Sequence, residues 1–152
     1  MDLIQLLSKK GELSLSTVAI IERFKKKWDV SSYMAVLECN IFTEQQLSDF
    51  ISRVLNLEKI EEIGNRNIPY DAFERIPFSK ASKWEVLPMG YSEKGDEFKV
   101  LMADPTNQKI IDELSKLLNC DLKIFVGERR YIHQLINDCY PLKLQVPGLA
   151  GV

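Results

Sequence analysis

The stretch Phe98-Lys99-Val100-Leu101-Met102-Ala103-Asp104-Pro105 decides the fold class, because a strand pattern meets a helix-start signal within it. A second apolar run, Trp84-Glu85-Val86-Leu87-Pro88-Met89, precedes it across the polar turn Ser92–Asp96. Two apolar runs around a polar turn that contains glycine predict a β-hairpin. Pro88 has no backbone donor, so we expect it at a sheet edge or at a bulge.

The segments on either side predict a small mixed layer around this hairpin. Asp104 is expected to cap a helix that has Pro105 at its first position. Other elements follow from apolar periodicity: strands at 59–63 and 121–126, and helices at 69–76, 105–118 and 128–140. The order β-α-β-β-α-β-α predicts an α+β or mixed α/β sandwich in which helices cover one sheet, and we take α+β as the fold class.

Residues 1–56 are predicted to be helical and to contain an internal repeat with an offset of 29 residues. Each copy consists of a helix, a break, a cap and a second helix. Matched pairs across the repeat are Leu7 with Val36, Gly11 with Asn40, and Ser14 with Thr43. Thr43 and Gln46 are spaced as a capping box. Neither helix pair buries its apolar face alone, so the two copies should stack as an N-terminal helical bundle.

The predicted organisation is therefore a helical repeat subdomain at 1–56, an α/β subdomain at 57–142, and a linker or disordered tail at 143–152. The tail contains two prolines and two glycines without periodicity between Pro141 and Val152.

Composition excludes several classes of function. The chain has 152 residues and a formal net charge of −2. It therefore lacks the excess of positive charge that is typical of proteins that bind nucleic acid or an anionic membrane. No apolar run approaches the roughly 20 residues of a membrane span, and the N-terminus lacks the pattern of a signal peptide. Three widely spaced cysteines predict free, reduced thiols: Cys39, Cys120 and Cys139. We therefore expect a cytoplasmic protein that does not insert directly into a membrane.

The sequence contains no credible active site. Phosphate-binding loops, dinucleotide-binding loops and nucleophile elbows are each defined by closely spaced glycines. None of the seven glycines in the sequence lies in such a motif. His133 is the only histidine, and it is interpreted as a residue at a helix surface or boundary. Arg129 and Arg130 lie unfavourably at a helix start, which indicates a salt bridge with Glu128 or another acid, or a binding role. Trp28 and Trp84 are interpreted as core anchors. No catalytic residue, metal or cofactor is predicted.

The run from Ile76 to Tyr140 resembles the N-terminal domain of type II secretion and type IV pilus assembly ATPases. The pieces that carry this resemblance are Ile76-Pro77, Val86-Leu87-Pro88-Met89, Val100-Leu101-Met102-Ala103-Asp104-Pro105, Ile110–Leu118, Leu122–Val126 and Glu128–Tyr140. Upstream, Asn40-Ile41-Phe42-Thr43-Glu44-Gln45-Gln46-Leu47 is similar to the family's G-L-I-T-E-E-Q-L. Order and spacing together extend the resemblance over roughly 3–141.

The resemblance implies a domain that precedes the motor ATPase, in cis or in trans. Such a domain docks to the cytoplasmic part of an inner-membrane platform protein, so it would reach the inner membrane through that partner. The segment Arg75–Lys83, which is expected to join the two subdomains, is a candidate for the docking surface. The alternative is that it is a solvent-exposed loop without a binding role. Its named members are Arg75, Phe78, Lys80 and Lys83.

Some members of the family bind cyclic di-GMP through two tandem motif copies that resemble R-L-G-x-x-L-L-x-x-G-L-L-x-x-x-x-L-x-x-x-L-x-x-Q. The positions of Arg, the two Gly and Gln fall here on Asp2, Ile4, Gly11 and Lys25, and then on Ser31, Tyr33, Asn40 and Val54. Only Gly11 keeps the family's residue, whereas the apolar frame persists. We therefore expect the scaffold without the nucleotide site. A ligand-sensing module for cyclic di-GMP or another small molecule stays open as the alternative to a docking domain.

Overall fold

Four helices make up the first 55 residues of the computed structural model, which describes residues 1–64 and 67–146. They are α1 (Leu3–Lys9), α2 (Leu15–Trp28), α3 (Ser32–Glu38) and α4 (Glu44–Leu55). A side-chain oxygen caps each helix start, from Asp2, Ser14, Ser31 and Thr43 in turn. These caps satisfy backbone donors that a short helix leaves free.

The helical repeat is present at the predicted offset. Helices α1 and α3 begin 29 residues apart, as do α2 and α4. Gly11 and Asn40 occupy the matched breaks with φ of 76° and 57°, the left-handed backbone that these residue types tolerate. The capping box of Thr43 and Gln46 is also present.

The sheet has three strands in the order β1-β2-β3: β1 (Val86–Tyr91), β2 (Glu97–Met102) and β3 (Asp121–Val126). Strands β1 and β2 form the predicted antiparallel hairpin, with a register shift between Pro88 and Gly90. Pro88 therefore lies beside an irregularity on an edge strand, as expected. Strand β3 runs parallel to β2, from the pair Glu97 and Asp121 to the pair Met102 and Val126.

The strand predicted at 59–63 is wrong. One isolated parallel bridge joins Lys59 to Val126, and the Ile60 N–H donates to the Val126 carbonyl at 2.9 Å. Ile60 and Ile63 are both buried, and this spacing of three residues does not match the alternation of a strand. The segment is therefore anchored by the burial of these two side chains, and it pairs with β3 through only one bridge before it leaves the sheet.

Two helices precede the sheet, where the sequence predicts one. Helix α5 (Tyr70–Arg75) confirms the prediction at 69–76, and α6 (Phe78–Trp84) was not predicted. The candidate docking segment is therefore helical and lies inside the α/β part, instead of forming a loop between two subdomains. Trp84 ends a helix and does not begin a strand.

Helix α7 (Gln108–Leu118) begins later than predicted, because Asn107 caps it in place of Asp104. Helix α8 (Arg129–Cys139) matches its prediction closely, and α9 (Leu142–Gln145) adds a turn of helix within the predicted tail. The order after α4 is thus α-α-β-β-α-β-α-α, still an α+β fold. Residues 147–152 of the predicted tail lie outside the described residues.

Buried apolar side chains form two clusters. One lies among α1 to α4 and includes Val126 of β3, and the other lies between the sheet and helices α5 to α8. Trp84 packs against the second cluster, whereas Trp28 is 58% exposed, so its prediction as a core anchor is wrong. Cys39, Cys120 and Cys139 are free thiols. Within residues 1–64 and 67–146, no helix is both long and apolar enough to cross a membrane.

Candidate functional site

The first copy of the degenerate nucleotide motif is occupied by contacts within the protein. Asp2 caps α1, and its Oδ2 accepts a hydrogen bond from the Ser32 hydroxyl at 3.1 Å. The same oxygen lies 3.6 Å from Lys25 Nζ. The structure thus brings together the residues at the family's Arg and Gln positions, where their opposite charges neutralise each other. Ile4, at the first glycine position, is buried at 1% exposure.

The second copy offers even less to a ligand. The Ser31 hydroxyl accepts from the Met34 N–H at 3.1 Å as the cap of α3. Tyr33 is buried, and Val54 packs half-buried against the helical cluster. The structure does not bring the polar members of this copy together. Gly11 and Asn40 serve the turns between helices in both copies.

Tyr33 points into a polar junction between the helical and α/β parts. Within the described residues, its hydroxyl is buried without a hydrogen-bond partner. Burial raises the pKa of Tyr33 above its usual range, and the nearby carboxylates of Glu44, Glu85 and Asp104 raise it further. The hydroxyl therefore stays protonated at every physiological pH.

Glu85 is the centre of this junction. It ends α6 in the left-handed region with φ of 55°. Its Oε2 forms an ion pair with Arg129 and lies 2.7 Å from His133 Nε2. Arg129 is thus paired with an acid other than Glu128, which confirms the salt-bridge interpretation. His133 is half-buried on the surface of α8, as predicted, and is tied to the end of α6.

Asp104 contributes a second carboxyl group to the same region. Its Oδ1 accepts from the Thr106 N–H at 3.1 Å and also from the Thr106 hydroxyl. Burial raises the pKa of Asp104 to about 6, although both bonds from Thr106 lower it, and the charges of Glu85 and Asp2 add to the rise. Asp104 therefore shapes a turn before α7 instead of capping that helix.

Glu44 connects the two parts of the molecule through a helix cap. Glu128 precedes α8 but makes no side-chain cap bond. Instead, the Arg130 N–H donates to Glu44 Oε1 at 2.6 Å, across 86 residues of sequence. A carboxylate at a helix N-terminus is stabilised by the aligned peptide dipoles. Lys59 adds a second link, since its Nζ lies 2.8 Å from Asp49 Oδ1 on α4.

Replacing Glu44 with alanine should lower the free energy of unfolding by about 1 to 2 kcal/mol, because the α8 start loses its acceptor. Glu44→Gln keeps an oxygen acceptor without the charge and should lose about half as much. Urea unfolding followed by circular dichroism measures both. Gln45→Ala, at the exposed neighbouring position, is the control; equal losses for Glu44→Ala and Gln45→Ala would contradict the cap.

A cavity of about 580 Å³ lies beside this cap. It opens between the turn before α4 and the start of α8. Residues from both parts line it: Leu37, Asn40, Ile41, Phe42, Thr43, Glu44, Gln45, Glu128 and Arg130. Among the second-copy motif positions, only Asn40 reaches it.

The candidate docking residues contact different parts of the protein and do not form one cluster. Arg75 Nη2 donates to the Leu118 carbonyl at 3.0 Å, and its guanidinium lies 5.7 Å from the Tyr91 ring centre. Phe78 packs edge-on against Tyr140 at 5.4 Å. Lys80 and Lys83 are exposed on α6, with the Lys80 ammonium 5.6 Å from the Trp84 ring.

The sequence does not predict the junction as a site. Its members come from distant segments, and the pair formed by Glu85 and His133 spans 48 residues. One local signal exists, namely the two arginines at the start of α8, where the helix dipole disfavours cations. Their position requires nearby acids, but it does not say which.

The fold is that of the small α+β domain found at the N-terminus of type II secretion and type IV pilus assembly ATPases. The chain belongs to the MshEN domain family, whose sequence model matches residues 55–146. The resemblance seen in the sequence is thereby confirmed.

Solved structures share the fold over nearly the whole chain. The structure of MshE with cdg has a TM-score of 0.69 and 20% identity, and the match covers 92% of this chain and 99% of that one. Two crystal forms of the N-terminal domain of XpsE give TM-scores of 0.64 and 0.73 at 17% and 16% identity. These matches cover 90% and 91% of this chain, and 93% of each XpsE chain. No curated protein matches the sequence.

Proposed function

We propose that the chain is a non-catalytic docking and regulatory domain of a type II secretion or type IV pilus assembly ATPase. It binds the cytoplasmic part of an inner-membrane platform protein and relays its state to a motor domain, in cis or in trans. Its location is the cytoplasm, at the inner membrane through that partner. Neither catalysis nor a cofactor is part of this role.

One observation carries the proposal. The helical frame of a nucleotide-binding repeat is retained, while its ligand positions are used for internal contacts such as that of Asp2 with Lys25 and Ser32. A domain that keeps this helical scaffold but lacks the ligand contacts is better suited to presenting a docking surface to a partner protein than to binding a nucleotide. Membership of the MshEN family supports the setting in a secretion or pilus ATPase.

Docking through α6 is tested by charge reversal. Lys80→Glu with Lys83→Glu should weaken binding to the platform protein's cytoplasmic segment by about tenfold, since both cations are exposed. Surface plasmon resonance measures the change. The matched control is Lys109→Glu with Lys116→Glu, two exposed cations on α7. Equal affinities for both double variants would exclude α6 as the docking surface, and no binding by the wild type would overturn the proposed function.

The second candidate function is a small-molecule sensor. The cavity beside Glu44 favours it, as does the MshE structure with cdg, interpreted here as cyclic di-GMP. Our proposal predicts no micromolar or tighter binding of cyclic di-GMP in isothermal titration calorimetry. A sensor would instead gain about 2.7 kcal/mol of stability at a hundredfold excess over its dissociation constant. Such a thermal shift would favour the sensor.

A further inference from the structure

Helix α2 carries an apolar ridge whose two ends are exposed in the described structure. Ile20 is 54% exposed and Trp28 is 58% exposed, although both are large apolar side chains. Phe24 lies between them, half-buried against the helical cluster, with its ring centre 6.3 Å from that of Trp28. Residues four apart lie above one another on a helix. The three side chains therefore form one row about 12 Å long.

Two cationic side chains form a second row along this ridge. Arg23 and Lys27 are four residues apart, and each follows a member of the ridge by three positions, so they form a parallel row beside it. Both are exposed, and the described part of the chain places no carboxylate in ion-pair contact with either. The Lys27 ammonium lies 5.4 Å from the Trp28 ring centre. Lys25, by contrast, is paired with Asp2.

We infer that this face of α2 is a docking surface for an acidic amphipathic helix of a partner protein. Rows of side chains four residues apart are the ridges by which helices pack. Tryptophan and arginine are the residue types that contribute most to protein interfaces. A partner helix with an apolar stripe flanked by glutamates would cover the ridge and pair with Arg23 and Lys27. The inference goes beyond the proposed function, since it concerns a second surface, on the helical part and separate from α6.

Other occupants fit the surface less well. A second copy packed antiparallel about a two-fold axis would bring the cation rows of the two α2 helices to the same side, where they repel each other. Residues 147–152 contain no aspartate or glutamate side chain that would complement the cations. Helices that lie on membranes present a broad apolar face to the lipid. In contrast, α2 directs Ile21 into the protein core, and its exposed apolar residues are the narrow ridge and Leu15 on the opposite side of the helix.

The test uses the whole chain and a fluorescein-labelled helical peptide of about 18 residues, with leucines at heptad positions a and d and glutamates at e and g. A second peptide carries lysines in place of the glutamates. Fluorescence anisotropy measures affinity for the wild type, for Arg23→Glu with Lys27→Glu, for Trp28→Ala and for Ile20→Ser. The matched control is Lys9→Glu with Lys10→Glu, two exposed cations at the end of α1. Circular dichroism verifies that every variant is folded.

We expect the acidic peptide to bind, with losses of about tenfold or more in the three α2 variants and less than about twofold in the control. The inference is overturned if the acidic peptide does not bind, if the lysine peptide binds equally well, or if the α2 variants match the control. It is also overturned if vesicles with about 30% phosphatidylglycerol, or a second copy of the chain, engage α2 in place of the peptide. Platform binding that depends on Lys80 and Lys83 is measured separately, so either proposal can fail alone.

Discussion

Replacing Tyr140 with alanine should lower the free energy of unfolding by about 3 to 5 kcal/mol, the usual cost of removing a buried aromatic side chain. Tyr140 is 2% exposed at the end of α8. Its ring packs edge-on against Phe73 at 4.9 Å and Phe78 at 5.4 Å. Its hydroxyl donates to the Ile76 carbonyl at 2.6 Å. The side chain thus holds α5 and α6 against α8. Urea unfolding monitored by circular dichroism gives the loss.

Tyr140→Phe separates the ring from the hydroxyl. It keeps both aromatic contacts but removes one donor from a buried carbonyl, which should cost about 1 to 2 kcal/mol. Equal losses in the two variants would contradict a role for the ring. Because Phe78 begins α6, we also expect Tyr140→Ala to weaken platform binding more than Tyr140→Phe does.

The helical repeat could be predicted from the sequence because its signals are local. Caps at Ser14 and Thr43 and left-handed residues at Gly11 and Asn40 act over three or four residues, and the structure confirms all of them. The hairpin between β1 and β2 is similar, since a polar turn and two apolar runs define it. Neither feature depends on what packs against it.

The predictions of secondary structure are wrong where contacts between distant segments determine the local conformation. The segment at 59–63 is held by the burial of Ile60 and Ile63, so its apolar spacing resembles a strand only approximately. Helix α6 has no side-chain cap, and Phe78 in its first turn packs on Tyr140, a contact between residues far apart in the sequence. Asp104 has the sequence context of a helix cap, but Asn107 takes that role because Asp104 bonds to Thr106.

The candidate site divides in the same way. The departures from the family's motif could be read residue by residue in the sequence, from Asp2 to Val54, whereas the absence of nucleotide binding stays a prediction. The junction built around Glu85 could not, because its partners Arg129 and His133 come from the opposite end of the domain. The exposed ridge of α2 was also missed, since Trp28 was expected in the core. Sequence periodicity identifies the apolar side of a helix but does not say whether that side is covered.

Asp104 gives the molecule a pH-dependent stability that can be isolated. Burial raises the pKa of its carboxyl group from 3.8 to about 6 in the folded protein. Below about pH 4 the group is protonated in both states, and above about pH 6 it is ionised in both. Between these values the folded protein holds a proton that the unfolded chain has released. The free energy of unfolding should therefore fall as the pH rises through this window, by about 3 kcal/mol for this group.

Asp104→Asn should remove this dependence, because an amide does not ionise and its oxygen still accepts from the Thr106 N–H. The variant should be more stable than the wild type by up to about 3 kcal/mol near pH 7.5 and nearly equal to it near pH 4. Other groups titrate in both proteins, so the difference between the two urea midpoints isolates Asp104. Asp112→Asn, at an exposed position on α7, is the control for removing a carboxylate outside this turn. If the difference between Asp104→Asn and the wild type does not change between pH 4 and pH 7.5, then burial does not hold the proton on this carboxyl, and the turn before α7 tolerates the charge.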